Sequence, residues 1–281
     1  MKKILVATDF SINSESAIKY ALNLAQIFNA EIHMINSYIS IPAIGIDGGP
    51  GILNEDVTQA GVDANKSKLE DLAKTMSEES NYGNPIITVV TTGDPVITIS
   101  DYAVENNFDL LILGTKGESR LEEILFGSTS VDIMKQSRIP VLAVPSNAKY
   151  YGIQKIVYAT ELEEKDIAVI QHLCDFAKFF DAEVVVFHVF TEDNMTQQDE
   201  ADKFNKLLNK NVTYQKLFKE SVTYANTYDA ILDVIKKDLA NMIALREQNR
   251  GIFGRLFHID MVKRINDHTT IPLLTYNDKS L

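Results

Sequence analysis

A single cysteine, Cys174, stands among 281 residues. One thiol excludes a disulfide framework and any cysteine-based metal site within the chain. Histidine is scarce too. His33, His172, His188, His258 and His268 include no pair at metal-ligand spacing on one element. Cations are outnumbered, 27 Lys and Arg against 39 Asp and Glu, for a net charge of −12. A broad nucleic-acid surface is therefore not expected. No apolar run approaches the roughly 20 residues that cross a bilayer, so no membrane partner is expected either. The opening MKKILVATDF has too short an apolar stretch before Thr8-Asp9 for a secretory leader, and the expected compartment is the cytoplasm. Gly-Lys occurs nowhere, which removes a Walker-type loop. No Gly-x-Gly-x-x-Gly follows the first strand, which argues against a dinucleotide-binding Rossmann domain.

What is present is alternation. Lys3–Ala7 reads as a short buried strand, and Ser14–Phe28 has apolar residues at helical spacing, with Ser11 or Ser14 available as a cap. Glu31–Ile35 is the next strand, which makes a right-handed parallel unit. Ser37–Asp63, rich in glycine, has neither period and reads as a long loop, a flap or a mobile insertion. Ala64–Glu79 is a charged helix, Pro85–Thr91 a strand, and Val96–Glu105 a helix entered through Gly93-Asp94-Pro95. Then comes Asp109–Pro145: an apolar strand Leu110–Leu113, Gly114, Gly117, and Gly127-Ser128-Thr129-Ser130 leading into the helical run Val131–Lys135. A Pro-led strand, Val141–Val144, closes it. Glycines after a parallel strand let backbone approach a phosphate, and a helix start supplies free N–H groups with partial positive charge.

The second half repeats the first. Lys3–Asp9 recurs as Lys155–Glu161, and Phe28-Asn29-Ala30-Glu31-Ile32 as Phe180-Asp181-Ala182-Glu183-Val184, both at an offset of 152. Ile139-Pro140-Val141-Leu142 recurs as Ile271-Pro272-Leu273-Leu274 at an offset of 132, as it would if the second copy lacked most of the glycine-rich loop. The expected domains are 1–148 and 152–281, each a five-stranded parallel α/β unit of ordinary size.

An Asp after the first strand, tandem copies, and Gly-x₂-Gly-x₉-Gly-Ser before the last helix resemble the universal stress protein family over essentially the whole chain. The resemblance implies an adenine-nucleotide alpha-hydrolase-like α/β fold, with strand order 3-2-1-4-5 in each domain. It implies ATP or another adenine nucleotide as ligand, and in so acidic a domain a Mg²⁺ bridging the phosphates is expected as companion. Ala7, Thr8 and Asp9 would line the adenosine side, with backbone near Ile35-Asn36 closing on the base. Gly114, Thr115 and Gly117 would approach ribose and phosphates, and Gly127, Ser128 and Thr129 would hold the phosphates. The two copies would pair within one chain through the last strands, Val141–Val144 and Leu273–Thr275, and a homodimer is a further arrangement.

At an offset of 132 the second copy has Arg246, Asn249, Ile259 and Asp260 in place of Gly114, Gly117, Gly127 and Ser128, so it should not bind ATP in the family way. The expectation is a stress-response sensor or regulator with a degenerate second domain. The rivals are a slow ATPase or autophosphorylating enzyme and a nucleotide-free interaction module. Asp9 serves two readings, helix cap or ribose and base partner, and both stay open. Ser128–Ser130 read as the cap of a helix beginning at Val131. Lys116 and Arg120 read as solvated loop charges. Arg246, Arg250 and Arg255 read as a solvated cluster neutralising local acids, with a small anion site and a cover over the degenerate pocket as the other readings. Cys174 reads as buried and inert. The glycine triplet, absent from the second copy, reads as a requirement of the ligand rather than of the fold.

Overall fold

The computed structural model describes residues 1–39, 55–115, 128–190, 198–225, 227–238, 240–246 and 271–280. The first half runs β1 (Lys3–Ala7), α1 (Ile12–Phe28), β2 (Glu31–Tyr38), α2 (Glu55–Glu79), β3 (Ile86–Thr92), α3 (Pro95–Glu105), β4 (Leu110–Gly114), α4 (Ser128–Gln136) and β5 (Val141–Val144). The second half runs β6 (Lys155–Ala159), α5 (Asp166–Ala177), β7 (Glu183–Phe190), α6 (Gln198–Asn211), β8 (Leu217–Thr223), α7 (Thr227–Asp238), β9 (Met242–Arg246) and β10 (Leu273–Tyr276).

Each half has the strand order 3-2-1-4-5, and the two halves form one sheet in the order β3-β2-β1-β4-β5-β10-β9-β6-β7-β8. Every pairing within a half is parallel. The seam is antiparallel: β10 lies against β5 with Leu274 opposite Leu142. Thr275 Oγ1 donates to Val141 O across it at 3.2 Å, and the Asn277 amide donates to Ser137 O.

Alternation along the strands builds two cores. Ile4 and Val6 join Ile18, Leu22, Leu69 and Met76 on the face covered by α1 and α2. Leu5 and Ala7 join Ile99, Ala103, Ile133 and Met134 on the face covered by α3 and α4. The second half repeats this with Ile156 and Tyr158 on one side and Val157 and Ala159 on the other. Each such Leu or Ile stabilises the fold by about 1.5–3 kcal/mol relative to exposure. Asp94 caps α3, accepting from the N–H groups of Val96 and Ile97 at 2.8 and 3.4 Å, and Pro95 fills the first helical position. Among the described residues, no helix is long and apolar enough to cross a membrane.

The glycine-rich loop is shorter than its composition suggests. β2 continues through Ser37 and Tyr38, because β3 pairs with it as far as Tyr38 opposite Thr92. Ladder hydrogen bonds, not apolar content, set that end. Likewise α2 begins at Glu55, not Ala64. Gly61 weakens the helical pattern there. Its bare Cα is nonetheless what packs: an added Cβ would lie 2.3 Å from the Tyr38 hydroxyl. Residues 40–54 of the stretch read as a loop or flap lie outside the described residues.

Cys174 is fully buried in α5, and burial pushes its thiol up to about 12. The native chain should leave a disulfide thiol reagent unreacted at pH 8, and release one thiol equivalent on unfolding in guanidinium chloride. Rapid labelling of the native chain would contradict this packing.

Candidate functional site

The carboxyl ends of β1, β2 and β4, with the start of α4, enclose a cleft of about 280 Å³. In an open parallel sheet this is where ligands bind. Of the residues expected at the site, Ala7, Thr8, Asp9, Asn36, Gly114, Thr115, Ser128 and Thr129 all line it. Gly117 and Gly127 lie outside the described residues, as do Lys116 and Arg120. Pro95, Ile99, Leu113 and Ile133 supply apolar wall.

The turn after β1 is held by its own side chains. Thr8 N–H donates to Ile35 O at 2.9 Å, joining the ends of β1 and β2. Ser14 Oγ donates to Ser11 O at 2.8 Å, so the Thr8 hydroxyl is the donor in its 2.7 Å contact with Ser14. Phe10 N–H in turn donates to Thr8 Oγ1 at 3.0 Å. The backbone of Phe10 is left-handed, φ 64°, which a bulky residue adopts only when its surroundings enforce it. Asp9 Oδ1 accepts from the N–H and hydroxyl of Ser11, at 3.0 and 2.5 Å. Asp9 thus shapes the turn through Oδ1 and also lines the cleft. Ser11 stands at the N-cap of α1 but makes no side-chain cap bond, because Asp9 holds its hydroxyl. The Asn36 amide donates to Thr8 O at 2.8 Å, and Asn65 donates to Asn36 Oδ1 at 3.0 Å.

On the other wall, Thr115 is completely buried. Its N–H donates to Val144 O at 3.0 Å, yet its hydroxyl has no partner among the described residues. A buried hydroxyl without a partner costs about 1–3 kcal/mol, which a ligand acceptor would remove. Ser128, Thr129 and Ser130 form the first turn of α4 itself; the helix does not begin at Val131. Ser130 Oγ donates to Gly114 O at 3.2 Å, tying α4 to the end of β4, while Ser128 and Thr129 stay exposed.

Gly114 has a second role. A Cβ there would lie 2.6 Å from Asn13 O and 3.0 Å from Ser14 Cα, both backbone. The glycine is required by the packing of β4 on the first turn of α1, so the reading of all three glycines as ligand requirements is corrected at this position. Ser11, Ser14 and Ser130, read from sequence only as helix caps, also line the cleft, as do Asn13 and Ser37, which were not singled out. The Thr8–Ser14 spacing carried a signal; the distant Asn65 carried none.

In the second half the same place is filled. Arg246, in the position of Gly114, is 7% exposed, so it is not solvated, but it does neutralise local acids and cover the pocket. Its Nε donates to Asp166 at 2.6 Å, Nη2 to Glu163 at 2.6 Å and Nη1 to Asp278 at 2.9 Å. Asp166, in the position of Ser14, also accepts from Tyr158 and Thr160 at 2.9 and 2.6 Å. Burial opposes the guanidinium charge, but the Asp166 hydrogen bond and charge outweigh it and raise the Arg246 pKa. Burial, then the Asp166 charge, holds the Tyr158 phenol far above its usual range. Room for the side chain comes with a helix that starts later: α1 begins at Ile12, but α5 begins at Asp166, the counterpart of Ser14. Arg250, Arg255, Ile259 and Asp260 lie outside the described residues.

Comparison with known proteins agrees with this geometry. Over its full length the chain is similar to the crystal structure of a universal stress protein from Archaeoglobus fulgidus, with TM-score 0.73 and 98% of each chain covered. At 16% identity that likeness concerns the fold. In sequence it is 34% identical over 150 residues to universal stress protein MJ0531 of Methanocaldococcus jannaschii, covering 53% of this chain and 84% of that one. It is 31% identical over 162 residues to stress response protein NhaX of Bacillus subtilis, covering 50% and 96%. The family model described as "Universal stress protein family" matches residues 1–145, more than half of the chain. The chain belongs to the universal stress protein family.

Proposed function

We propose that the first half binds an adenine nucleotide, ATP foremost, as the input of a stress sensor or regulator, and that the second half is a pseudo-site. The observation that carries this reading is the contrast between two copies of one fold. The first keeps a cleft between the ends of β1, β2 and β4 and the start of α4, with Ser128 and Thr129 exposed on the first turn of α4 and a Thr115 hydroxyl unpartnered among the described residues. The second fills the same place with Arg246 and its carboxylates.

The residues present suit the group. Free N–H groups at the start of α4 favour an anion, and Ser128 and Thr129 add hydroxyl donors. Apolar Ile99, Pro95 and Leu113 offer surface to a base. Among the described residues no cluster of three acids or histidines could hold a metal by itself. Mg²⁺ would therefore arrive with the phosphates, with Asp9 the acid on the cleft wall. Regulation rather than efficient hydrolysis fits a site whose Asp9 is partly occupied by Ser11; hydrolysis needs a positioned water and stabilised charge.

Calorimetric titration with ATP, ADP and AMP tests the proposal. We expect one nucleotide per chain, and at a ligand concentration 100 times Kd a stabilisation of about 2.7 kcal/mol, seen as a higher Tm. Absence of both heat and Tm shift for all three would favour a nucleotide-free module. Two equivalents bound would remove the pseudo-site.

A further inference from the structure

The sheet ends in two outer strands, β3 and β8, which are counterparts in the two copies. β3 reads Ile-Ile-Thr-Val-Val-Thr-Thr, seven β-branched residues without a charge. β8 reads Leu-Phe-Lys-Glu-Ser-Val-Thr. Register fixes which positions correspond. Thr88 lies beside Met34 as Lys219 lies beside Val186, and Val89 beside Ile35 as Glu220 beside Phe187. The second copy thus sets a lysine and a glutamate in the middle of its edge, where the first has threonine and valine.

An edge strand presents a row of unpaired N–H and C=O groups, and charges on it deter pairing with another chain. β3 has no such guard. None of its seven residues is buried, and Ile87 is 42% exposed. Among the described residues only β2 pairs with it. High β-propensity with no charge, proline or glycine is the composition of segments that pair between chains.

The groove beside the strand differs in the same way. Glu70, Lys74, Ser77 and Glu78 of α2, with Ile86 and Thr88 of β3, wall an open groove of about 390 Å³. Tyr82 and Tyr214 align the helices before them, since their hydroxyls donate to the counterpart carbonyls of Ala30 and Ala182. By that alignment Ser77 corresponds to Asn209. In the second copy Lys219 Nζ donates to Asn209 Oδ1 at 2.6 Å, so a lysine bridges strand and helix. Thr88 and Ser77 leave the same place open.

We propose that β3 is a self-association edge, through which two copies of this chain join antiparallel and continue the sheet. The proposal is independent of the nucleotide reading. The chain already contains a join of this kind: its halves meet antiparallel at β5 and β10 through three paired positions. β3 offers seven. A two-fold axis centred on Val89 sets Thr88 opposite the second copy's Val90 and Ile86 opposite its Thr92. No charge then enters the ladder. The face of the sheet is kept across such a join, and Ile86 and Val90 pack on the α2 side. Val90 and Thr92 of the second copy would therefore stand in the groove beside Thr88 and Ile86. Each chain carries a net charge of −12, so the two copies repel at long range, and salt should strengthen the join by screening.

Sedimentation velocity of the intact chain across micromolar concentrations tests this. A monomer–dimer equilibrium is expected, shifting toward dimer as sodium chloride is raised. Thr88→Lys copies Lys219 and should weaken the dimer at least about tenfold. Ile87→Lys, at an exposed position, should do the same, and both should keep the wild-type far-ultraviolet circular dichroism. A monomer at every concentration, a dimer that weakens with salt, or a dimer that neither lysine affects would each overturn the proposal.

Discussion

Arg246→Met is expected to cost about 3–5 kcal/mol of folding stability, because it strands a buried carboxylate. Asp166 is 1% exposed and has Arg246 as its cationic partner at 2.6 Å; the remaining partners, Tyr158 and Thr160, are neutral hydroxyls. The three ion pairs of Arg246 should not contribute alike. The Glu163 and Asp278 side chains are 46% and 51% exposed, so water screens them. Asp278→Asn should therefore cost no more than about 1 kcal/mol. The interaction itself is read from a double-mutant cycle. Asp166→Asn removes the charge that Arg246 neutralises, so Arg246→Met with Asp166→Asn should cost less than the sum of the singles by about 0.5–3 kcal/mol. Urea denaturation followed by far-ultraviolet circular dichroism measures all four chains, which lack tryptophan as a probe. Additive costs would mean that Arg246 acts as packing and not as the countercharge of Asp166.

Gly114→Val should lower stability by about 1–3 kcal/mol, the usual range for overpacking, and abolish nucleotide binding. The reason is geometric: the new Cβ meets the backbone of Asn13 at 2.6 Å, and backbone in a helix cannot turn aside as a flexible side chain can. Pushing α1 away from β4 also displaces the Thr8–Ser14 contact and opens the cleft wall. The diagnostic condition is the nucleotide-free protein. A glycine needed only for ligand approach could be replaced with no loss in Tm when no ligand is present, whereas here the loss should already be complete. An unchanged Tm with lost ATP binding would return Gly114 to a ligand-only role.

Both expectations depend on comparing the halves position by position. The same left-handed turn follows β1 and β6, with Phe10 and Leu162 both at φ 64°. In both, the threonine hydroxyl accepts the N–H two residues on, at 3.0 and 2.9 Å. Asn36 and His188, also counterparts, each hydrogen-bond the threonine carbonyl, at 2.8 and 2.9 Å. This shared frame belongs to the fold. What differs on it, Gly114 against Arg246 and Ser14 against Asp166, belongs to the separate task of each copy.

The sequence by itself determined the two-copy α/β architecture and where the cleft would lie. Both follow from local periodicities and from repeats that survive substitution, as Lys3–Ala7 and Lys155–Ala159 do. It also marked eight of the eighteen described cleft residues, because strand ends and helix starts are legible in one dimension. Tertiary structure alone decided the rest. Tyr38 and Glu55 entered regular elements through pairing with β3 and through the close packing at Gly61, neither visible in local composition. That Arg246 would neutralise acids was read from sequence, but which carboxylates, 80, 83 and 32 positions away, and its burial among them were not. Periodicity reports which face of an element is buried, but the identity of the group on the other side is a long-range fact. A charge's role depends on that group.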